Sequence, residues 1–371
     1  MNKIRLSKST IGQEEKNAVI SVLDKEFLGM GEEVNLFEQE IKEYLKTDKE
    51  VMCISTGTSA LHLAIEALNL DEDDEVLVPS LTYVASFQAI SGARVKAIAV
   101  DICEDTLFID LEDAKSRLTP KTKAIMPVHY ASNAKDIQAV YDFANEYDLR
   151  VIEDAAQAFG CRNSMGKVGT SGDIICFSFD GIKNITSGEG GAVLSSDENI
   201  IQRVKDARLL GVEKDTQKRF EGQRSWDFDV KHQGYRYHMS NIFAAIGREQ
   251  LKKIDFIEEK RKNIVSYYQE KLRTIEHVKV LDFDYENIIS HIFVIKASKR
   301  DELREFLLSR NIECGIHYKP NHLLSLYKTD YSLPKTEKVY EQILTLPCQL
   351  DLTIEEQNLV IDTIKEFYLG K

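Results

Sequence analysis

The chain has 371 residues, of which 43% are hydrophobic and 29% are charged, with 61 Asp and Glu against 48 Lys and Arg. Because a single core stops growing at roughly 250–300 residues, this length predicts one large domain and a smaller one. The net charge of −13 argues against non-specific binding to nucleic acid, whose phosphates would be repelled.

Short apolar strands alternate with helical segments between residues 50 and 155. This alternation predicts a mainly parallel sheet covered on both faces, with ligand sites at the carboxyl ends of its strands. The predicted strands are Glu50–Ser55, Glu75–Pro79, Val95–Val100, Lys123–Val128 and Arg150–Ile152. The predicted helices between them are Thr58–Asn69, Thr82–Ile90 and Lys135–Tyr147.

The pattern changes after residue 170. Asp173–Phe179 and Gly191–Ser195 are predicted strands separated by a polar, glycine-rich turn, which indicates a hairpin. The last hundred residues read as a compact α+β unit, so we predict a large domain over 1–250 and a small domain over 251–371. The other predicted elements are helices Glu198–Leu210, Asn241–Gln269 and Arg300–Ser309 and strand His291–Lys296.

The sequence has no pattern of an exported or membrane-bound protein. Its start, MNKIRLSKSTIGQEE, has no apolar segment typical of a signal peptide. No apolar run reaches the roughly 18 residues that span a bilayer. The six cysteines are scattered, without CxxC or Cys/His ligand spacing, as reduced core cysteines are. We therefore expect a soluble, cytoplasmic protein of the size of an enzyme.

Two features that could bind charged groups follow predicted strands. The turn Ser55–Ser59 (STGTS) opens a helix, where free backbone N–H groups and the helix dipole favour an anion, although an ordinary N-cap is the alternative. Glu153 and Asp154 end another strand and are suited to binding a metal, capping a helix or facing a cationic cofactor. Each feature alone leaves its alternatives open.

A third feature is Lys183, which lies in a glycine-bounded turn between the two strands of the predicted hairpin. If this lysine is buried, its ammonium form is disfavoured and its amine becomes available as a nucleophile. A solvated surface lysine is the alternative. Together, an anion cradle, a carboxylate and a lysine match the needs of pyridoxal phosphate.

At this point the sequence resembles the DegT/DnrJ/EryC/StrS sugar aminotransferases, a branch of the aspartate aminotransferase-like (fold type I) pyridoxal-phosphate enzymes. The resemblance covers nearly the whole chain. It implies an α/β fold, with a large domain built on a mainly parallel central sheet and a smaller C-terminal α+β domain. The motifs that carry it are STGTSALHLAI, VPSLTYVAS, PVHYAS, EDAAQAFG, KNITSGEGGAV, GYRYHMSN and GIHYKP.

The resemblance implies a role for each of nine residues. Lys183 is the Schiff-base lysine, Asp154 the carboxylate beneath the pyridinium nitrogen, and Gln157 the side chain near the phenolic oxygen. Tyr83 is the aromatic residue that stacks on the cofactor ring. Residues implied to bind the phosphate are Gly57, Thr58, Ser59, Ser178 and, from the neighbouring subunit of a homodimer, Arg236.

The chain departs from the common family pattern at two positions. Asp180 stands where many members have His, and Arg236 stands where many have Asn. Arginine binds phosphate in a bidentate manner, so the role of Arg236 can be kept. Both departures resemble the subgroup that makes viosamine-type nucleotide sugars.

The resemblance therefore implies transfer of an amino group from L-glutamate to the C-4 keto group of dTDP-4-keto-6-deoxy-D-glucose. Amination at C-3, or of a UDP- or GDP-linked sugar, is the nearest alternative. The presence of Lys183 argues against a dehydratase, in which histidine replaces this lysine, and against a non-catalytic sugar-binding protein. A metal enzyme built on Glu153, Asp154 and His129 lacks compact ligand spacing. Basic residues between 208 and 231 are candidate contacts for the sugar diphosphate, with a solvated loop as the alternative.

Overall fold

A seven-stranded sheet forms the centre of the larger part of the computed structural model, which describes residues 3–213, 215–224 and 226–370. The strands, in chain order, are β1 Glu50–Ile54, β2 Glu75–Pro79, β3 Lys96–Val100, β4 Thr122–Ile125, β5 Arg150–Asp154, β6 Arg162–Asn163, β7 Gly166–Lys167, β8 Ile174–Ser178, β9 Gly191–Ser195, β10 Val278–Val280, β11 Phe293–Ala297 and β12 Ile343–Leu346. The central sheet has the order β1-β9-β8-β5-β4-β2-β3. Strand β9 runs antiparallel to β1 and β8, whereas the other neighbours pair in parallel, as predicted for a mainly parallel sheet.

Helices cover both faces of this sheet. The α-helices of the described residues, in chain order, are α1 Gln13–Asp24, α2 Glu32–Leu45, α3 Gly57–Ala67, α4 Val84–Gly92, α5 Leu111–Ser116, α6 Ile137–Glu146, α7 Glu198–Ala207, α8 Asp215–Phe220, α9 Asn241–Lys252, α10 Ile254–Leu272, α11 Arg300–Ser309, α12 Pro334–Tyr340 and α13 Ile354–Leu369, of which α10, α11 and α13 pack against a second sheet. Alternate strand residues enter different cores: Val51 and Cys53 pack with α2, whereas Met52 and Ile54 pack with α3 and α7. Because both faces are buried, the strands are apolar almost throughout.

The predicted single helix over Asn241–Gln269 is wrong. This segment forms α9 and α10, which are separated at Lys253, where the backbone (φ −98°, ψ 4°) leaves the helical range. The Lys253 amine lies 2.7 Å from Glu15 of α1 and 3.1 Å from Glu14. The helical spacing of apolar residues continues on both sides of the break, so a local sequence pattern cannot locate it. The predicted β8–β9 hairpin is confirmed.

A second, three-stranded antiparallel sheet, β10-β11-β12, packs against α10, α11 and α13. Between β11 and β12 the chain returns to the large sheet, where Asn321 donates a hydrogen bond to the Thr82 carbonyl (2.9 Å) and Thr336 donates one to Asp101 (2.7 Å). The domain boundary near residue 250 falls within α9 and stays a prediction. None of the helices in the described ranges is long and apolar enough to cross a membrane.

Candidate active site

Lys183 lies in the turn between β8 and β9 and is half-buried there. Burial lowers its pKa, and the carboxylates of Asp180 and Asp154 act in the opposite direction. The Lys183 Nζ atom lies 3.5 Å from Nε2 of His291, a residue of the small-sheet side of the chain. A desolvated lysine whose pKa is lowered has more of its amine in the neutral, nucleophilic form. The structure therefore favours the nucleophilic interpretation of Lys183 over that of a solvated lysine.

Asp154 is the last residue of β5 and is only 5% exposed. Burial raises the pKa of this carboxyl group, and hydrogen bonds from Ser86 (Oγ, 2.7 Å) and the Ala156 amide (3.2 Å) act against that rise, as does the charge of Lys183. In the part of the chain that the structure describes, Asp154 forms no ion pair with Lys, Arg or His. A buried carboxylate without a cationic partner is suited to receiving a positively charged ligand atom.

Glu153 points away from Asp154 because successive side chains of a strand face opposite sides. Its carboxylate lies 2.7 Å from His129 Nε2 and accepts a hydrogen bond from the Tyr141 hydroxyl at 2.7 Å. Of the three residues considered as metal ligands, Glu153 and His129 therefore pair with each other on one face of the sheet, and Asp154 lies on the opposite face. Across residues 3–213, 215–224 and 226–370, no group of three His, Cys, Asp or Glu side chains is placed to hold a metal ion.

Gln157 lies on the loop after β5 and links three segments of the site. Its Oε1 accepts a hydrogen bond from the Ala131 amide (2.7 Å), and its Nε2 donates one to the Tyr318 hydroxyl (3.0 Å). The Tyr318 ring centroid is 5.3 Å from that of Tyr83. Tyr83 itself is 57% exposed at the start of α4, so one face of its ring is open to a flat ligand.

The turn Ser55–Ser59 forms an N-cap and leaves two amides without an intrahelical acceptor. Thr56 caps α3 by accepting a hydrogen bond from the Ser59 amide (3.0 Å), and the Ser59 hydroxyl accepts one from the Thr56 amide (3.0 Å). These two reciprocal hydrogen bonds, which form a capping box, occupy the Ser59 hydroxyl. The N–H groups of Gly57 and Thr58 stand at the first turn of the helix, where amides have no intrahelical acceptor.

Ser178 ends β8 directly beside this turn. A Cβ atom at Gly57 would lie 2.6 Å from the Ser178 Cβ and 2.9 Å from its Oγ. Glycine at position 57 therefore permits the close approach of α3 to β8, and it brings the Ser178 hydroxyl to the first turn of the helix. Arg236 is exposed, on a segment whose next residue, Tyr237, accepts a hydrogen bond from the Ser55 amide (2.6 Å).

The basic residues between 208 and 231 do not form one cluster. Arg208 is fully buried and pairs with Glu38 (2.6 Å), so the solvated-loop alternative is wrong for this residue. Arg219 pairs with Asp215 (2.7 Å) and Lys231 with Glu213 (3.0 Å). Lys218 and Arg224 are exposed. Lys214 lies outside the described residues.

On the side of Lys183 that faces the small sheet, sequence reasoning missed Arg261 and His291 and identified His317 and Tyr318 only as part of the motif GIHYKP. His317 Nδ1 lies 2.8 Å from Thr345 Oγ1, and the Tyr130 hydroxyl donates a hydrogen bond to the His317 carbonyl. Burial lowers the pKa of His317 to about 4, with a further contribution from the charge of Lys183. Arg261 lies behind His291 and donates a hydrogen bond to its carbonyl at 3.4 Å. The one local signal is the motif GIHYKP, which contains His317 and Tyr318; Arg261 and His291 carry none.

Comparison with known proteins agrees with this geometry. The model of the DegT/DnrJ/EryC1/StrS aminotransferase family matches residues 9–365. An uncharacterized protein of Methanocaldococcus jannaschii is 35% identical over 370 residues, which cover 96% of this chain and 95% of that protein. Among solved structures, sugar aminotransferase CalS13 from Micromonospora echinospora is 27% identical with a TM-score of 0.88, covering 98% of this chain and 99% of its own.

The protein Spr1654 from Streptococcus pneumoniae has been solved in PMP and PLP forms. These forms are 26% and 25% identical to this chain, with TM-scores of 0.92 and 0.91, and they cover 99% and 100% of it and 99% of their own chains. The likeness confirms the predicted fold type I architecture and pyridoxal phosphate as the cofactor.

The residues present here fit pyridoxal phosphate. Asp154 is a buried carboxylate that forms no ion pair with any cation of the described residues, Lys183 is an amine with a lowered pKa, and the cradle between Gly57 and Ser178 has no room for a Cβ atom. These groups lie at the carboxyl edge of β5, at the end of β8 and in the turn that follows it, as expected for ligand sites of such sheets. The protein therefore belongs to the DegT/DnrJ/EryC1/StrS aminotransferase family and is a pyridoxal-phosphate-dependent transaminase.

Proposed function

We propose that the protein transfers the amino group of L-glutamate to the C-4 keto group of dTDP-4-keto-6-deoxy-D-glucose, giving dTDP-4-amino-4,6-dideoxy-D-glucose. The observation that carries the reaction class is the convergence of Lys183, Asp154 and the Gly57–Ser178 cradle at one edge of the sheet. A sugar as acceptor is supported by the likeness to CalS13, which is a sugar aminotransferase.

In this proposal each site residue has a defined task toward the cofactor. Lys183 would bind it covalently, Asp154 would pair with the ring nitrogen, Tyr83 would stack on the ring and Gln157 would bond near the phenolic oxygen. The phosphate would be held by Gly57, Thr58, Ser178 and Arg236 of a second subunit, and by Ser59, whose bonds to Thr56 also shape the turn. When bound, pyridoxal phosphate supplies an aldehyde that takes up the amino group and a ring that delocalises the negative charge left at Cα.

The Lys183 amine performs the proton transfers of both half-reactions. After glutamate has taken its place on the cofactor, Lys183 Nζ is free to remove the Cα proton of the donor. It would pass this proton to the cofactor carbon that carried the aldehyde; in the second half the same amine would take a proton from that carbon and deliver it to C-4 of the sugar, which receives the amino group. The lowered pKa of Lys183 keeps a fraction of this amine neutral and basic. 2-Oxoglutarate leaves before the sugar reacts, so the kinetics are expected to be ping-pong.

The C-4 position and the dTDP carrier are supported by the resemblance of FSFDGIKNITSGEGG to viosamine-type enzymes. Asp180 of this motif contributes to the field around Lys183, and its carboxylate accepts a hydrogen bond from the Ile182 amide (3.4 Å). The test is an assay of L-glutamate against dTDP-, UDP- and GDP-linked 4-keto and 3-keto deoxysugars, following the product mass. Turnover of only 3-keto sugars, or of only UDP or GDP sugars, would contradict this assignment.

A homodimer with shared sites is part of the proposal, and the exposed guanidinium of Arg236 is its main support. Mixing an inactive Lys183→Ala chain with an Arg236→Ala chain is expected to restore part of the activity, because one site of the mixed dimer is then intact. No recovery after demonstrated chain exchange contradicts sharing. A cytoplasmic location is also proposed; it is consistent with five buried cysteines and a half-buried sixth, all of them unpaired.

A further inference from the structure

A small cavity lies directly beside Lys183 on the side of the small sheet. Its volume is about 20 Å³, which is room for one or two oxygen-sized groups. Ile182, the neighbour of Lys183 in the chain, forms part of its wall, and so does His291, whose Nε2 is 3.5 Å from the Lys183 amine. Because His291 lines the cavity and lies beside Lys183 Nζ, a group attached to an atom at the position of Nζ would lie close to this cavity.

The charged group of this cavity is the guanidinium of Arg261, on α10. Arg261 is 5% exposed, and its Nη1 donates hydrogen bonds to the carbonyls of Cys348 and His291. Its Nε has no hydrogen-bond partner, and in the described part of the chain no Asp or Glu forms an ion pair with it. Burying a guanidinium without a carboxylate is costly, because it remains charged at any ordinary pH.

No other group in the cavity wall compensates this charge. The wall contains no Asp or Glu; it is formed by Leu6, Ser7, Ile182, Arg261, His291, Ile292, His317, Thr345, Leu346 and Cys348. The two imidazoles in the wall do not repel an anion, because burial lowers the pKa of His291 and of His317 and keeps both rings neutral near pH 7. The cavity is thus a small site with one positive charge and no acidic residue in its wall.

We infer that this cavity binds the α-carboxylate of the amino donor, with Arg261 as its charged partner. The inference rests on the proposed function for the identity of the donor, L-glutamate. The donor's amino group takes the position of the Lys183 amine, and its α-carboxylate is bonded to the adjacent carbon. A carboxylate supplies the negatively charged partner that Arg261 lacks, and it has the size that the cavity accommodates.

The experiment separates the α-carboxylate from the rest of the donor. L-Glutamate and L-isoglutamine, its α-amide, are each added without sugar to the cofactor-loaded protein, and the loss of the cofactor's long-wavelength absorbance is followed. Binding of 2-oxoglutarate is measured separately by calorimetry. The variants are Arg261→Met and Arg261→Lys. Arg300→Met is the matched control, because Arg300 is a buried arginine of the small-sheet side that binds the carbonyls of Tyr340 (2.7 Å) and Ile343 (3.0 Å) away from the cavity.

In the native protein, L-glutamate is expected to react at least about 10-fold more efficiently than L-isoglutamine, the range of a charge-assisted hydrogen bond. Arg261→Met is expected to remove this preference and to weaken 2-oxoglutarate binding about 10- to 100-fold, with Arg261→Lys between it and the native protein. Arg300→Met is expected to keep both the preference for L-glutamate and the native affinity for 2-oxoglutarate. The same preference in folded Arg261→Met, or equal reactivity of the two donors in the native protein, overturns the inference. If native protein reacts with neither compound, the donor assigned in the proposed function is wrong instead.

Discussion

The two sides of the site differ in how their charges are balanced. Among the residues that the structure describes, Asp154 on the sheet side, at the ends of β5 and β8, is a buried carboxylate that forms no ion pair with a cation. On the cover side, formed by α10 and the segments around His291 and His317, Arg261 is a buried cation that forms no ion pair with any described carboxylate. Other buried charges lie beside an opposite charge, as Arg208 does beside Glu38, or are held by backbone carbonyls, as Lys49 is by that of Gly172. Unpaired buried charges of opposite sign on either side of Lys183 indicate places for two ligand groups: a cationic ring on the sheet side and an anionic donor on the cover side.

The largest effect is expected between the two sides, at Lys183 itself. Lys183→Ala removes the amine that binds the cofactor and moves the proton, so turnover is expected to fall at least about 10³-fold. The matched control is Lys49→Ala, since burial also lowers the pKa of Lys49, whose amine binds the Gly172 carbonyl (2.6 Å) outside the site. Steady-state rates with saturating cofactor are compared for the two variants. Equal losses of turnover would contradict a specific role of Lys183, because they would follow from removing any buried amine.

A change on the sheet side is expected to lower the rate and not the affinity for the donor. Asp154→Asn retains the hydrogen-bonded shape and removes the charge that favours a protonated ring nitrogen, so kcat is expected to fall about 10²- to 10³-fold. Glu153→Gln is the control, because the neighbouring carboxylate faces His129 on the opposite side. Near-normal turnover in Asp154→Asn shows that another carboxylate has this role.

The phosphate cradle is expected to be sensitive to one methyl group. In Gly57→Ala the new Cβ meets Ser178 at 2.6 Å, so the Kd for pyridoxal phosphate is expected to rise about 10-fold. In the double variant Gly57→Ala/Ser178→Gly, the side-chain atoms that the new Cβ meets are absent, so its Kd is expected to be close to that of Ser178→Gly alone, which lacks only the Ser178 hydroxyl. Calorimetric titration with the cofactor compares these three variants with the native protein. An unchanged Kd in the single variant contradicts a phosphate site at this turn.

The smallest effect concerns pH and is expected on both sides. The pKa of His317 on the cover side and that of His238 beside Arg236 are each lowered from 6.5 to about 4, mainly by burial. Between these values the unfolded chain binds more protons, so stability falls as the pH decreases from about 6.5 to 4. Each of the variants His317→Gln and His238→Gln is expected to reduce this slope by at most about 1.4 kcal/mol per pH unit. Denaturant unfolding at several pH values measures it; an unchanged slope in both variants refutes the assignment.

Much of the fold could be predicted because its strands are short apolar runs between clear turns. Glu75–Pro79 and Gly191–Ser195 have the predicted bounds, and Arg300–Ser309 is a helix as predicted. The break at Lys253 could not be found, since the helical spacing of apolar residues continues across it, and the ion pairs of Lys253 are with Glu14 and Glu15, more than two hundred positions away. Long-range ion pairs leave no periodic signal in the local sequence.

The residues on the sheet side of the site could be predicted from the sequence, whereas those on the cover side could not. Sheet-side residues such as Asp154 and Ser178 end strands, so topology brings them to one edge. Cover-side residues such as Arg261 and His291 are thirty positions apart in a helix and a loop, and only packing of the small sheet places them beside Lys183. At the turn Ser55–Ser59 the geometry shows the N-cap, and the binding of an anion there stays a prediction.

The most direct test of the account is the location of the cofactor's covalent bond. The protein is incubated with pyridoxal phosphate, reduced with borohydride and digested, and the peptides are analysed by mass spectrometry. The account predicts the added mass of the reduced cofactor on the peptide containing Lys183, in the native protein and in Asp154→Asn. Label on another lysine, or no label despite excess cofactor, contradicts the role assigned to Lys183.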